Sequence, residues 1–326
     1  MKGYLGIDVG SVSTNIVLMT EGGMVVEDIY LRTQGQPITT VQVGLKELSA
    51  RLPSGTIVKG VGTTGSGRHL AGLIVGADAV KNEITAHAVA ASLMVPGVQT
   101  ILEIGGQDSK IIILRNGVVN DFAMNTVCAA GTGSFLDQQA ARLNIPIEKF
   151  GDNALLASTP VRIAGRCAVF AESDMIHKQQ MGCSLPDILA GLCEALVRNY
   201  LNNLGKGKEI LAPVVFQGGV AANVGMISAF EKALGLPVQV PPYFNVMGAV
   251  GAAVLAREAV SRNGRTSLFK GFGVADTQFS AGSFECSACA NLCEVVEISE
   301  NHTILARWGD RCGKWSSTAG LEKKIS

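Results

Sequence analysis

The sequence has no excess of charge of either sign. Its 27 lysine and arginine residues balance its 27 aspartate and glutamate residues, so the formal net charge at pH 7 is zero. A protein without a basic excess has no general electrostatic attraction to nucleic acid or to an anionic membrane. We therefore expect neither as a partner.

Long hydrophobic runs are also missing. The longest, such as GAVGAAVLA at 248–256, are much shorter than the roughly 20 apolar residues that span a bilayer. The chain opens with MKGYLGIDVG, which predicts a strand and no signal peptide. We therefore expect a cytoplasmic protein, in which thiols stay reduced. The eight cysteines are then better explained as metal ligands, redox groups or core residues than as disulfides.

Two common nucleotide-binding motifs are absent as well. No GxxxxGK[ST] sequence occurs, which excludes a P-loop ATPase. GVGTTGSGR at 60–68 partly matches the dinucleotide-binding fingerprint, but no acidic residue follows at the expected distance. The four histidines show no metal-ligand spacing, and we assign no role to His69, His87, His177 and His302.

Strand and helix patterns alternate along most of the chain. Short apolar runs that lead into glycine, such as YLGIDVG and TIVKGVG, predict strands, whereas residues 37–52 and 245–260 have helical spacing. The 326 residues leave room for about two domains. Together these patterns predict an α/β fold with a small cysteine-rich C-terminal appendage.

Three glycine-containing loops each follow a predicted strand. In the first, DVGSVST, the Asp8 carboxylate at the strand end can hold a hydrated Mg²⁺. The turn after Asp8 can offer N–H and hydroxyl groups to phosphate oxygens. Its candidate residues are Gly10, Ser11, Val12, Ser13 and Thr14.

The second and third loops repeat this arrangement. EIGGQDSK adds two carboxylates, Glu103 and Asp108, and its candidate phosphate-binding residues are Gly105, Gly106, Gln107 and Lys110. QGGVAAN at 217–223 has paired glycines that let a nucleoside lie close to the backbone, and its candidates are Gly218, Gly219 and Asn223. A single glycine-rich loop after a strand is more often an ordinary turn than a nucleotide-binding loop. Three such loops in this order indicate a nucleotide site.

The order of DVGSVST, EIGGQDSK and QGGVAAN resembles the two phosphate loops and the adenosine loop of the actin, sugar kinase and Hsp70 ATPases. The resemblance covers about residues 1–262 and implies two ribonuclease H-like lobes with ATP in the cleft between them. The first lobe is expected at 1–110, completed by a returning helix at 245–262. The second lobe is expected at 111–244 and a separate cysteine-rich module at 270–326.

Within that stretch, GQDSK, NTVCAAGTGSF and GRCAVFAESD are similar to the ATP-dependent activators of 2-hydroxyacyl-CoA dehydratases and benzoyl-CoA reductases. In that family the cysteines matching Cys128 and Cys167 hold a [4Fe–4S] cluster. Such a cluster takes four thiolates, so the resemblance implies a homodimer that shares one cluster. Each cysteine precedes a predicted helix, whose partly positive N-terminus favours a thiolate. Gly131, in the same segment, is added to the candidate nucleotide-binding residues.

The resemblance implies that ATP hydrolysis drives an electron from ferredoxin or flavodoxin to an iron–sulfur partner enzyme in an anaerobic host. That partner is either a 2-hydroxyacyl-CoA dehydratase or a double-cubane cluster protein. Asp8 and Asp108 are the candidates for binding Mg²⁺ and ordering water. Glu103 is either a third catalytic carboxylate or a structural residue, and Lys110 either contacts phosphate or forms a salt bridge. A small-molecule kinase of the same fold and a non-catalytic, nucleotide-binding metal sensor are the alternatives.

The C-terminal region contains a second group of cysteines around EVVEISENHTILARW, a predicted hairpin. Four thiols on a knuckle and a hairpin either bind Zn²⁺ or a further iron–sulfur cluster, or stay free on a docking module. These candidates are Cys286, Cys289, Cys293 and Cys312. Cys183 and Cys193 fall in helical stretches and are predicted to be core residues.

Overall fold

The computed structural model describes residues 1–264 and 266–316. A first five-stranded sheet consists of β1 (Lys2–Val9), β2 (Ser13–Thr20), β3 (Val25–Arg32), β4 (Ile57–Thr64) and β5 (Ala79–Val80). Its order is β3-β2-β1-β4-β5, with β1 antiparallel to β2 and parallel to β4. The end of β1 and the turn into β2 therefore carry the first glycine loop.

A second five-stranded sheet is formed by β6 (Thr100–Ile104), β7 (Ser109–Arg115), β8 (Val118–Asn125), β9 (Val214–Gln217) and β10 (Val238–Gln239). Its order, β10-β9-β6-β7-β8, matches the first sheet in having an antiparallel three-strand meander extended by parallel strands. The second glycine loop joins β6 to β7 and the third follows β9. Both loops thus leave the same edge of this sheet.

Helices α1 (Pro37–Arg51) and α2 (Arg68–Val75) pack on the first sheet, whereas α3 (Glu83–Met94) contacts β7 and β8 of the second. Further along the chain lie α4 (Gly133–Arg142), α5 (Phe150–Leu155), α6 (Ala168–Gln180), α7 (Leu185–Tyr200), α8 (Val224–Leu234) and α9 (Met247–Asn263). Within the two described segments, no helix combines the length and hydropathy needed to cross a bilayer.

Helix α9 returns to the first sheet. A Cβ atom at Gly6 would lie 1.8 Å from the carbonyl oxygen of Ala249, and one at Gly62 would lie 2.0 Å from that of Ala252. No side chain fits at these distances, so the two glycines of β1 and β4 let the helix backbone rest directly on the sheet. The helix predicted at 245–262 is found here.

The two sheets divide the chain between Val80 and Thr100. The lobe boundary predicted at residue 110 falls inside β7 instead. The predicted boundary placed β6 with the first lobe. In the structure, however, β6 pairs with β7 and β9 of the second sheet.

A third, antiparallel sheet forms the C-terminal appendage from β11 (Phe279–Glu285), β12 (Glu294–Glu300) and β13 (Thr303–Trp308). β12 and β13 are the predicted hairpin. The segment before β11 is hydrogen-bonded to α1, because the Gln42 side-chain amide donates to the carbonyl oxygens of Val274 and Thr277. Residues 317–326 of the predicted module lie outside the described residues.

Candidate functional site

The three glycine loops meet around one cavity of about 580 Å³ that is lined from both five-stranded sheets. Every candidate catalytic and nucleotide-binding residue lines this cavity except two. Thr14 points into the first sheet, where its hydroxyl lies 3.0 Å from that of Thr33. Gly131 lies beside Asn199, close to the cysteines. The structure therefore does not support these two residues as nucleotide contacts.

The first and second loops touch each other across the cavity. A Cβ atom at Gly106 would lie 2.8 Å from a methyl group of Val12, which is closer than real side chains approach. At the third loop, Gly218 has φ +88° and its Cβ would lie 2.4 Å from the carbonyl oxygen of Ile104. Glycine is required at Gly106 because the two loops approach closely, and at Gly218 because of both a close approach and a positive φ.

Lys110 is the centre of a buried ion cluster. Its ammonium group lies 2.9 Å from a carboxylate oxygen of Glu83, 3.0 Å from one of Glu103 and 2.8 Å from one of Asp108. An ammonium group has three hydrogens, and Lys110 donates to Glu103 and Asp108 and also forms an ion pair with Glu83. This geometry favours the salt-bridge alternative for Lys110 over a contact with phosphate.

The cluster changes the ionisation of the groups within it. Burial alone would lower the pKa of Lys110, but the charges of Glu103, Asp108 and Glu83 raise it above its ordinary value, so the lysine stays cationic. Burial raises the pKa of Glu103 to about 8, although Lys110 opposes this shift. Burial and then the charge of Glu83 raise the pKa of Asp8 to about 7. One or two carboxylates, together with phosphate oxygens and water, are enough to bind Mg²⁺, and Asp8 and Asp108 line the cavity where they could do so.

Glu83 and His87 are among the cavity residues that were not predicted from the sequence. Glu83 and His87 lie one turn apart on α3, a helix that Asn82 caps by accepting a hydrogen bond from the backbone N–H of Thr85. The side-chain nitrogen of Gln217 lies 2.8 Å from Nδ1 of His87. Burial and then the charge of Lys110 lower the pKa of His87 to about 3, so this histidine is neutral. A search for metal-ligand spacing could not find it, because its partner is an amide in a distant strand.

Two of the described residues that line the cavity each have a buried polar atom without a hydrogen-bond partner. Within the described chain, Oδ1 of Asn15 and Nδ2 of Asn223 are buried without a hydrogen-bond partner, and both residues line the cavity. Buried polar atoms are normally satisfied. Both residues are polar, which suits a nucleotide at the cavity, and the cavity carboxylates suit the Mg²⁺ that accompanies it.

Cys128 and Cys167 occupy equivalent local positions. Cys128 precedes the 3₁₀ turn Ala129–Gly131 that leads into α4, and Cys167 is the N-cap residue of α6. Both are free thiols of intermediate burial. The helix-start position predicted for each is therefore found, and thiols at such positions fit an anionic iron–sulfur cluster.

The start of α4 connects Cys128 to the cavity. The backbone N–H of Gly133 donates to the carbonyl oxygen of Gly105 at 2.9 Å, and that of Ser134 donates to Gly106 at the same distance. The hydroxyl of Ser134 also donates to the Gly106 carbonyl. The second glycine loop and the cysteine-bearing segment are thus bonded directly to each other.

The C-terminal cysteines are not assembled as a metal site. The backbone N–H of Cys286 donates to the carbonyl oxygen of Cys293 at 2.8 Å, whereas Cys289 and Cys312 are exposed. Across residues 1–264 and 266–316, no three His, Cys, Asp or Glu side chains are grouped as a metal ion requires. The predicted Zn²⁺ or second cluster does not fit this arrangement, and we assign no metal chemistry to the appendage.

The remaining two cysteines have different surroundings. Cys193 is buried in α7, as predicted, and burial raises its pKa to about 12. Cys183 lies in the loop between α6 and α7 and not in a helix, although it packs against the core of the second sheet.

Comparison with known proteins finds relatives that match most of this chain. The chain is 33% identical over 263 residues to the (R)-2-hydroxyglutaryl-CoA dehydratase activating ATPase of Acidaminococcus fermentans, which covers 79% of this chain and 98% of that protein. It is likewise 33% identical over 267 residues to the activator of lactoyl-CoA dehydratase of Anaerotignum propionicum, with 79% and 98% covered.

A solved structure agrees with these relatives. The activator of the 2-hydroxyisocaproyl-CoA dehydratase from Clostridium difficile, with bound ADPNP, superposes with a TM-score of 0.72 at 29% identity. It covers 80% of this chain and 97% of that one. The two-lobed actin and sugar kinase-like fold predicted from the sequence is confirmed. The BadF/BadG/BcrA/BcrD ATPase family matches residues 5–256, so the appendage lies beyond the match. The chain belongs to the BadF/BadG/BcrA/BcrD ATPase family.

Proposed function

We propose that this protein is an ATP-dependent electron donor that activates a partner iron–sulfur enzyme. In this proposal, a homodimer binds one [4Fe–4S] cluster through Cys128 and Cys167 of each subunit. One electron enters from ferredoxin or flavodoxin and one electron leaves to the partner. The named activities of the relatives, which activate 2-hydroxyacyl-CoA dehydratases, favour a partner of that class, and a double-cubane cluster protein is the other candidate acceptor.

The observation that carries the proposal is the pair of backbone hydrogen bonds from Gly133 and Ser134 to the second glycine loop. Gly105 and Gly106 lie at the cavity, and Cys128 lies five residues before Gly133. A change in the loop when nucleotide binds therefore acts on the segment that bears Cys128. Nucleotide binding can shift the protein between two states only if its contacts differ between them.

The surface around the two cysteines supports a subunit contact. Val127, directly before Cys128, is 94% exposed, and Val169 and Phe170, two and three residues after Cys167, are 68% and 66% exposed. Exposed apolar side chains close in sequence to both thiols are typical of a surface that a second subunit covers. Two thiols per chain then supply the four ligands that the cluster requires.

The cavity residues would perform the ATPase step. Asp8 and Asp108 would hold Mg²⁺ and order the attacking water. The Mg²⁺ would neutralise the negative charge that develops on the phosphate. Glu103 accepts from Lys110 and would act with it as part of the buried charge cluster. His87, neutral and hydrogen-bonded to Gln217, would bound the cavity without adding charge.

The test is ATP-dependent reduction of an acceptor by anaerobically purified protein. We expect the purified protein to contain bound iron. The acceptor should be reduced only when ATP, Mg²⁺ and a low-potential reductant are all present. Cys128→Ser and Cys167→Ser should lose reduction and keep nucleotide binding, whereas Cys183→Ser serves as the matched control. Phosphorylation of a small molecule with no bound iron would identify a kinase instead. Iron and nucleotide binding without ATP turnover would identify a sensor.

A further inference from the structure

Asn199, at the end of α7, contacts both cysteine-bearing loops. Its side-chain nitrogen donates to the carbonyl oxygen of Gly165 at 2.6 Å and lies 3.4 Å from that of Arg166, the residue before Cys167. The same nitrogen lies 4.0 Å from the Cys128 sulfur, within reach of an N–H···S hydrogen bond. Asn199 is only 2% exposed.

The geometry around Asn199 leaves its amide little freedom. The side chain of Asn203 donates to its oxygen at 3.0 Å, which fixes the direction in which the nitrogen points. A Cβ at Gly131 would lie 2.7 Å from that oxygen, so the turn after Cys128 is pressed against the amide. On the other side, a Cβ at Gly165 would lie 2.8 Å from the carbonyl oxygen of Ala195 on α7. Both loops are therefore packed tightly around one side chain.

An amide nitrogen has two hydrogens. One is used by the Gly165 carbonyl, and the second is shared between the Arg166 carbonyl and the Cys128 sulfur. Hydrogen bonds to the sulfurs of an iron–sulfur site stabilise its more reduced, more negative state and so raise its reduction potential. A fixed donor beside a ligand sulfur also holds that ligand in place.

We propose that Asn199 is a positioning residue for the cysteine pair. It sets the spacing between the loops of Cys128 and Cys167, and it donates to the Cys128 sulfur. This inference rests on the proposed function, because it assumes that the two cysteines are the ligands of one cluster. It goes beyond that function in assigning the spacing and the potential of the site to a residue on a third element, which ligates nothing itself.

The test uses the full-length dimer loaded with iron and sulfide. Asn199→Leu removes both donors, and Asn199→Asp keeps the size but loses the N–H groups. Asn202→Ala is the matched control, because Asn202 is an exposed asparagine in the turn that follows α7. The two measurements are the midpoint potential in a spectroscopic redox titration and the rate at which a chelator removes iron.

We expect both Asn199 variants to have a more negative midpoint potential than the wild type and to lose iron several-fold faster. Asn202→Ala should match the wild type in both measurements. Wild-type potential and chelation rate in the Asn199 variants would overturn the inference while leaving the proposed function intact. Failure of both variants to fold would also overturn it, in favour of a purely structural role. A wild-type protein that binds no cluster would instead overturn the proposed function.

Discussion

The backbone N–H of Gly133 donates to the carbonyl oxygen of Gly105 at 2.9 Å. This bond joins the first turn of α4 to the second loop of the cavity, and Cys128 is five residues away along the chain. A second bond makes a parallel connection, because the Tyr200 hydroxyl donates to the Lys110 carbonyl at 2.5 Å while its neighbour Asn199 contacts the cysteine loops. Two elements, α4 and α7, therefore connect the candidate nucleotide site to the candidate cluster site.

Asp8→Asn should abolish most Mg²⁺-dependent ATP hydrolysis and leave iron binding unchanged, because Asp8 belongs to the cavity and not to the cysteine loops. In the wild type, hydrolysis and Mg²⁺–nucleotide affinity should rise as the pH increases through about 7, where the Asp8 carboxyl ionises. An ATPase assay from pH 6 to pH 9 measures this rise. Hydrolysis by the variant at a rate near that of the wild type would show that the cavity is wrongly assigned.

The same substitution should stabilise the nucleotide-free protein. The pKa of Asp8 is higher in the folded state than in the unfolded state, so the fold loses stability as the pH rises from the unfolded value of 3.8 to the folded value of about 7. Asn cannot ionise, and the advantage of the variant should grow between about pH 4 and pH 7 and then level off, at about 2 to 4 kcal/mol. Chemical denaturation at pH 5 and pH 8 checks this, and an equal effect at both would contradict the assigned shift.

Lys110→Met should be strongly destabilising. It leaves Glu83, Glu103 and Asp108 close together without their cation, and removing one partner of a buried ion pair costs about 3–5 kcal/mol. Adding Glu83→Gln should recover part of this loss, because one of the unpaired charges is then removed. Urea unfolding of the two variants at pH 8 measures both effects. A Lys110 variant that unfolds like the wild type would rule out the ion cluster.

Gly106→Ala should weaken nucleotide binding by about tenfold, or about 1.4 kcal/mol. The added methyl group overlaps the Val12 side chain and forces the first and second loops apart. Combining it with Val12→Ala should restore part of the affinity. Gly273→Ala is the control, since a Cβ there meets nothing within 4 Å. Calorimetric titration with ADP gives the affinities, and full affinity in Gly106→Ala would mean that the loops do not approach as described.

Iron content should be about four atoms per dimer, because two body cysteines per chain supply the four ligands of one cluster. The count should be unchanged when Cys286, Cys289, Cys293 and Cys312 are all replaced by serine, since the structure does not assemble them as a site. Iron analysis of both proteins decides this. A lower count in the serine variant would show that the appendage binds metal after all.

Much of this site follows from the sequence, because strand–glycine–helix signals are local. Gly105, Gly106, Gly218 and the helix starts after Cys128 and Cys167 were all identifiable from neighbours within a few residues. The role of Lys110 was not, because its partners include Glu83, which comes from a separate helix. Asn199 and His87 could not be found either, since an isolated Asn or His in an apolar helix carries no signal of a partner in another element.

The lobe boundary failed for a related reason. A strand's sheet is decided by its partners, and the parallel partner of β6 is β9, more than 100 residues later. The appendage was only partly predictable as well. Its hairpin is visible in the alternation of β12 and β13, but the spacing of its cysteines does not determine whether four thiols converge.

The central claim is that the nucleotide at the cavity changes the cysteine-bound site. The most direct measurement is the rate at which an iron chelator removes the cluster from the wild-type dimer, with ADP or with a non-hydrolysable ATP analogue bound. We predict unequal rates, with faster removal in the ATP-like state, because contacts at Gly105 and Gly106 act through α4 on the segment of Cys128. Identical rates in the two nucleotide states would contradict the coupling and leave an iron–sulfur ATPase in which the two sites act independently.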